Sequence, residues 1–187
     1  MKVCIDIGHC PSAPGAENSH YGMSEYRFWK SYAQLLVNYL NGYGHGAVIV
    51  NRETEGGGTG MTACVRACNE ANADVIVALH ANAFNKTASG TETLYWHASP
   101  RGKRLAQCIQ TQMVKALGLP DRGIKPITGT ERGGAQLRGT VAPCVIVEPF
   151  FIDNDADYET ALENASNLCG AIAVGLSLIH ISEPTRP

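Results

Sequence analysis

Short apolar runs alternate along this chain with longer amphipathic stretches. Val3 to Ile7, Ala47 to Val50, Val75 to Leu79 and Val145 to Val147 are rich in β-branched residues, as expected of strands buried on both faces. Thr91 to Trp96 reads as a further strand after the turn signal Ser89-Gly90. Helical spacing marks about 24–41, 61–72, 100–117 and 157–176. Strand and helix in alternation predict a single-domain α/β fold, its largely parallel or mixed central sheet flanked by helices on both faces. The domain is expected to span 1–176. The remainder, 177–187, holds two prolines and is expected to be an unstructured tail with the look of linker- or adapter-derived sequence. Glycine-rich loops are expected at 55–60 and 132–134.

Composition narrows the class. At 187 residues the chain can bury a substantial core. A net charge of −2 argues against a non-specific nucleic-acid binder. No apolar run reaches the ~18 to 20 residues of a membrane span, so no membrane insertion is expected. Met1 leads straight into a strand pattern with no secretory leader, so synthesis in the cytoplasm is the expectation. Seven cysteines, an odd number, argue against a disulfide framework. Cys4, Cys144 and Cys169 read as small core residues. Cys64 and Cys68 stand one helical turn apart and resemble half a metal site. No second cysteine or histidine pair completes it in the sequence, so packing is the expected role.

The chemistry gathers at strand ends. His9 and His80 each follow directly on an apolar strand, and Glu148 ends a third. In open α/β sheets ligands bind at the carboxyl ends of the strands, so these three groups are expected to converge. Glu25 opens the first long helix, four residues before Trp29, on the face defined by Trp29, Tyr32, Ala33, Leu36, Tyr39 and Leu40. Alone, Glu25 reads equally as a metal ligand or as a carboxylate favoured by the positive helix end. Together the four supply a His/Glu/His ligand set of the kind that suits zinc with one open position, and a carboxylate able to take a proton from water. Asp6 and Asn82 flank the histidines and are candidates to orient them. His20, His45 and His97 read as surface residues, although His97 could line the cleft.

These residues fall in segments that resemble a known family, the zinc-dependent N-acetylmuramoyl-L-alanine amidases of the amidase-3 type, especially those of phage and prophage endolysins. Ile5-Asp6-Ile7-Gly8-His9 resembles the first zinc-histidine motif, and Leu79-His80-Ala81-Asn82-Ala83 the second. Glu25 stands where the family's glutamate ligand opens a helix. Asp121-Arg122-Gly123-Ile124-Lys125 resembles a further segment, and Val147-Glu148-Pro149-Phe150-Phe151-Ile152-Asp153-Asn154 the endolysin form of the catalytic-glutamate motif. The resemblance implies Zn2+ held by His9, Glu25 and His80, with Glu148 as general acid–base. It implies a monomer acting on bacterial peptidoglycan, after release to the cell wall, at the amide between N-acetylmuramic acid and L-alanine. Arg138 is a candidate second contact for the oxyanion, weighed against an ordinary surface arginine. Cys10 departs from the family, which commonly has glycine after this histidine, and would set a thiol beside the metal.

Three other readings compete. A zinc peptidase acting on wall peptides shares the ligand set but needs a pocket for a free carboxylate. A thiol amidase would use Cys10 with His80, yet Cys10 sits in a loop, without the helix N-terminus that commonly activates a cysteine. A catalytically inactive wall-binding module would have no need of all four site residues.

Overall fold

The computed structural model describes residues 1–52, 60–129 and 132–181. Strand β1 (Lys2–Ile7) is followed by a small hairpin of β2 (Glu17–Asn18) and β3 (Met23–Ser24), then helix α1 (Glu25–Gly42) and β4 (Gly46–Asn51). Helix α2 (Met61–Glu70), β5 (Val75–Leu79), β6 (Thr91–Trp96) and α3 (Pro100–Leu117) come next. Strand β7 (Asp121–Ile127), α4 (Gly134–Gly139), β8 (Cys144–Glu148), α5 (Asp155–Glu163) and α6 (Ala165–Ile181) complete the order.

The six-stranded sheet runs β4-β1-β5-β8-β6-β7. It is mixed: β1 pairs parallel with β4 and β5, β5 with β8, and β6 with β7, while β6 and β8 are antiparallel. The central strands β5 and β8 are buried at every residue, as their unbroken apolar runs predict. Alternation along β1 divides its side chains between two layers. Val3, Ile5 and Ile7 join the core under α1, α3 and α6, whereas Cys4 packs into the smaller core under α2 and α4.

Local chemistry sets the helix ends. Ser24 caps α1 by accepting from the Arg27 N–H, and Ser99 does the same for α3, which begins at Pro100 and stops at Gly118 in the left-handed region. On α1 the buried face comprises Phe28, Trp29, Ala33, Leu36 and Leu40, with Tyr32 and Tyr39 half-buried at its margins. Trp29 reaches furthest: its indole N–H donates to the His80 carbonyl at 2.8 Å, tying the first turns of α1 to the end of β5.

Three departures from the sequence pattern have physical causes. The stretch 157–176 is two helices, bent by 76° at a break where Asn164 turns its amide back onto the Thr160 carbonyl. Helix α6 continues past Leu176 to Ile181 because Ile179 remains buried in the main core, so the expected unstructured tail does not start at 177. Residues 182–187 of that tail lie outside the described part, as does most of the glycine-rich 55–60 loop. Strand β7 carried no sequence signal: it is an exposed edge strand, where Pro126 is tolerated. Among the described residues no single helix is long and apolar enough to cross a membrane.

Trp29→Phe removes the indole donor and leaves the His80 carbonyl without that partner. A destabilisation of about 1–3 kcal/mol is expected in chemical denaturation. An unchanged midpoint would show that this tie contributes nothing to the α1–β5 contact.

Candidate active site

The site forms where β1 and β5 end side by side. The Gly8 N–H donates to the Leu79 carbonyl at 3.0 Å, extending the pairing by one residue before the chain turns away. A side chain at position 8 would meet the His80 ring at 2.6 Å, so glycine is what lets the two segments approach. His9 follows with φ +70°, a left-handed conformation that costs a non-glycine residue about 1–3 kcal/mol and is found where surrounding contacts impose it. The turn brings His9 Nε2 to 3.3 Å from Glu25 Oε2, and His80 Nδ1 lies 3.2 Å from the same oxygen.

Glu25 is buried at the start of α1, with both oxygens engaged. Oε1 accepts from the Ala16 N–H at 2.8 Å and Oε2 from the Ala81 N–H at 3.0 Å. Burial alone would push its pKa up, but hydrogen bonds and charge from His80 and His9 outweigh that and hold the carboxyl well below its usual range. One donor atom from each of His9, Glu25 and His80 lies within 4.8 Å of the others. Around a tetrahedral zinc with bonds of roughly 2.0–2.1 Å, neighbouring donors stand about 3.3 Å apart. The two imidazole–carboxylate distances match that spacing, and two neutral nitrogens with one carboxylate are a donor set zinc accepts. The residues present fit the ion.

Glu148 ends β8, beside β5, and lines the same cleft of about 320 Å3 with His9, Glu25, His80, Met61 and Arg132. Its Oε1 stands 3.1 Å from Arg132 Nη2, while Oε2 is buried with no hydrogen-bond partner. Burial pushes its pKa up to about 8; Arg132 pulls it back, and the carboxylates of Glu25 and Glu92 add to the rise.

A polar network supports this arrangement. Glu92 on β6 lies opposite Glu148 in the antiparallel register. Arg132 approaches Glu92 Oε1 at 3.4 Å and donates to Asn82 Oδ1 at 3.0 Å, and the Asn82 amide donates to Glu92 at 2.8 Å. Arg122 donates to Glu92 Oε2 at 2.9 Å and lies over the Phe151 ring.

The sequence-derived candidates thus separate. His9, Glu25, His80 and Glu148 share one cleft. Asn82 bonds to Glu92 and Arg132, at the margin of Glu148. Asp6 takes its hydrogen bond from Gln136 in the core under α2 and α4, and not from an imidazole. Arg138 is exposed on the last turn of α4 and does not line the cleft, where the arginines are Arg52 and Arg132. Cys10 is buried, its thiol 3.3 Å from the Ser12 hydroxyl, and is likewise not a lining residue. His20 pairs with Asp155, His45 with Ser177, and His97 packs on Trp96. Glu92 and Arg132 went unassigned from sequence. Glu92 had a signal, a charge sharing one face of β6 with the buried Leu94; Arg132, in a glycine-flanked loop, had none.

With this geometry in view, the Amidase_3 family description, N-acetylmuramoyl-L-alanine amidase, matches residues 3–177, and the chain belongs to that family. Its fold is similar to the N-acetylmuramoyl-L-alanine amidase from Clostridium difficile 630, at 25% identity and TM-score 0.84, covering 98% of each chain. It also resembles in fold the catalytic domain of the CD27L endolysin targeting Clostridia Difficile, at 24% identity and TM-score 0.80, over 95% of this chain and 97% of that one. Among curated proteins, N-acetylmuramoyl-L-alanine amidase LytC of Bacillus subtilis is 29% identical over 158 residues, 83% of this chain and 30% of the relative. The chain spans less than half the length of the curated relatives it matches.

Gly15 offers a test of the cradle. It adopts φ +84°, and a Cβ there would lie 2.6 Å from the His9 ring and 2.8 Å from Glu25 Oε1. Gly15→Ala is expected to keep the fold by circular dichroism while weakening zinc binding measured by calorimetry. Unchanged affinity would show that the His9–Glu25 spacing does not depend on this close approach.

Proposed function

We propose that this chain is a zinc-dependent peptidoglycan amidase, cleaving the amide between N-acetylmuramic acid and the L-alanine of the stem peptide, in the role of a phage or prophage lysin that reaches the wall after release from the cytoplasm. The observation that carries the reading is the pairing, in one cleft, of a His/Glu/His donor set with a buried carboxylate oxygen that has no partner of its own. Family membership supplies the substrate class. The similarity in fold to an endolysin catalytic domain supports the lysin role.

His9 Nε2, His80 Nδ1 and Glu25 Oε2 are the atoms that would hold the ion. Bound there, zinc supplies a Lewis acid that polarises the scissile carbonyl and brings the pKa of water toward about 7. Glu148 does the proton work. Its Oε1 is steadied by Arg132, which leaves Oε2 to accept a proton from the attacking water and to return it to the departing amine nitrogen. A carboxyl raised toward neutrality suits both directions of that transfer. Glu92 and Asn82 hold the Arg132 guanidinium in place.

Digestion of purified peptidoglycan tests the reaction. Mass spectrometry should find stem peptides with a new L-alanine N-terminus and uncut glycan strands; new C-termini inside the peptides, with muramic acid still joined to L-alanine, would favour a peptidase. Glu148→Gln should retain zinc and lose on the order of 10²- to 10⁴-fold in rate.

Arg132 gives a separate test. Glu148 must be ionised to accept a proton, so activity should rise with pH through its titration. Removing the cation in Arg132→Ala raises the Glu148 pKa, so the acid limb of the rate profile should move to higher pH. An acid limb that stays in place would remove Arg132 from this role.

A further inference from the structure

Adjoining the cleft, in the core under α2 and α4, is a second cluster that the proposed reaction does not use. Cys64 and Cys68 lie on consecutive turns of α2, both buried and directed at the sheet. Facing them from β1 is Asp6, wholly buried, with Cys4 two residues earlier on the same face of the strand. One donor atom from each of Asp6, Cys64 and Cys68 lies within 4.8 Å of the others. Cys4 packs in the same small core as Cys64 and Cys68. Two cysteines expected from sequence to be packing residues thus meet a carboxylate supplied by the strand.

Asp6 is the group that packing does not explain. One carboxylate oxygen accepts from the Gln136 amide at 2.7 Å; the other, Oδ1, is buried with no partner, as is Gln136 Oε1. Among the described residues no lysine, arginine or histidine pairs with it, and a buried carboxylate without a cation is costly. Among the described residues all the cysteines are free, so no disulfide accounts for the cluster.

We propose that Asp6, Cys64 and Cys68 form a structural site for a thiophilic divalent cation, zinc by preference, separate from the His9/Glu25/His80 set. Two thiolate sulfurs with one carboxylate oxygen are a donor set that zinc accepts. The ion would supply the positive charge that Asp6 lacks and would fasten α2 to β1, the strand that delivers Gly8 and His9 to the cleft. Without metal the thiols stay protonated: the contact between the two sulfurs, then burial, pushes Cys64 well above the usual thiol range, and the Cys4 contact acts likewise on Cys68. Binding therefore expels thiol protons to solvent, one for each cysteine that becomes a ligand, and affinity should increase with pH.

The site stands or falls apart from the catalytic reading. Metal-free chain titrated with Co2+ is expected to develop thiolate-to-cobalt charge-transfer absorption that saturates at one ion per chain. The band should persist in His80→Ala, which lacks a ligand of the other set, and vanish in the double variant Cys64→Ala, Cys68→Ala. Zinc-loaded His80→Ala should retain one zinc per chain by elemental analysis, with sulfur neighbours in its X-ray absorption spectrum. That measurement stands even if the double cysteine variant fails to fold. A His80→Ala chain that keeps no zinc, or keeps it with nitrogen and oxygen neighbours alone, overturns the proposal. A His80→Ala chain that keeps sulfur-bound zinc and full wall-degrading activity would uphold this site and refute the catalytic one.

Discussion

Burial of the Glu25 carboxylate is the constraint from which the cleft is built. An ionised carboxylate taken out of water costs several kcal/mol unless charges and donors meet it. Here one side chain collects the Ala16 and Ala81 amides and the rings of His9 and His80. Those partners come from the loop between β1 and β2, which supplies both His9 and Ala16, and from the end of β5, 55 and 56 residues away, so a single group fastens α1 to both. The left-handed backbone of His9 and the glycines at 8 and 15 follow from how close these segments must come. Trp29, one turn along the same helix, holds the carbonyl of the residue whose ring Glu25 meets.

The second carboxylate of the cleft is treated in the opposite way. Glu25 is surrounded by donors and held acidic, while Glu148 is buried with one cation that it shares with Glu92. Because Arg132 stands between two carboxylates, its pull on Glu148 is diluted, and the charge of Glu25 adds to the rise. One environment favours a permanent anion, the other a group that exchanges its proton near neutrality. This contrast supports ligand and base roles for Glu25 and Glu148 respectively, in the reading proposed for them.

How much of this was legible in sequence depends on how local each signal is. Five of the six sheet strands and the buried face of α1 follow from periodicity, and the ends of β1, β5 and β8 follow from where their apolar runs stop. His9, His80 and Glu148 could therefore be brought to one end of the sheet without coordinates. Arg132 could not, because its place depends on Glu92 and Asn82, which reach it across 40 and 50 residues of chain. Strand β7 is polar and at an edge, so burial left no imprint on its pattern. The break at Asn164 is a competition between a side-chain amide and the helix, which hydrophobic spacing does not register. Asp6 was misplaced for a related reason. Nearness to His9 in sequence suggested a partner for the imidazole, but three residues along a strand and a turn put the two groups in different layers.

That last point links the two ends of the molecule. Along β1, alternate positions serve different layers: Val3, Ile5 and Ile7 bury against the large helical core, and Cys4 and Asp6 face α2. The strand cannot shift its register by one residue without exchanging these sets, placing a carboxylate in the large apolar core. Gly8 and His9 inherit whatever position the strand is given, and the His9–Glu25 distance inherits it from them. A contact that fixes Asp6 against α2 therefore acts on the cleft through six paired residues of strand and through Gln136, which bonds Asp6 and lines the cleft. The cluster under α2 is in this sense a foundation for the turn at His9, and the charge it leaves unpaired at Asp6 is what gives a cation reason to bind there.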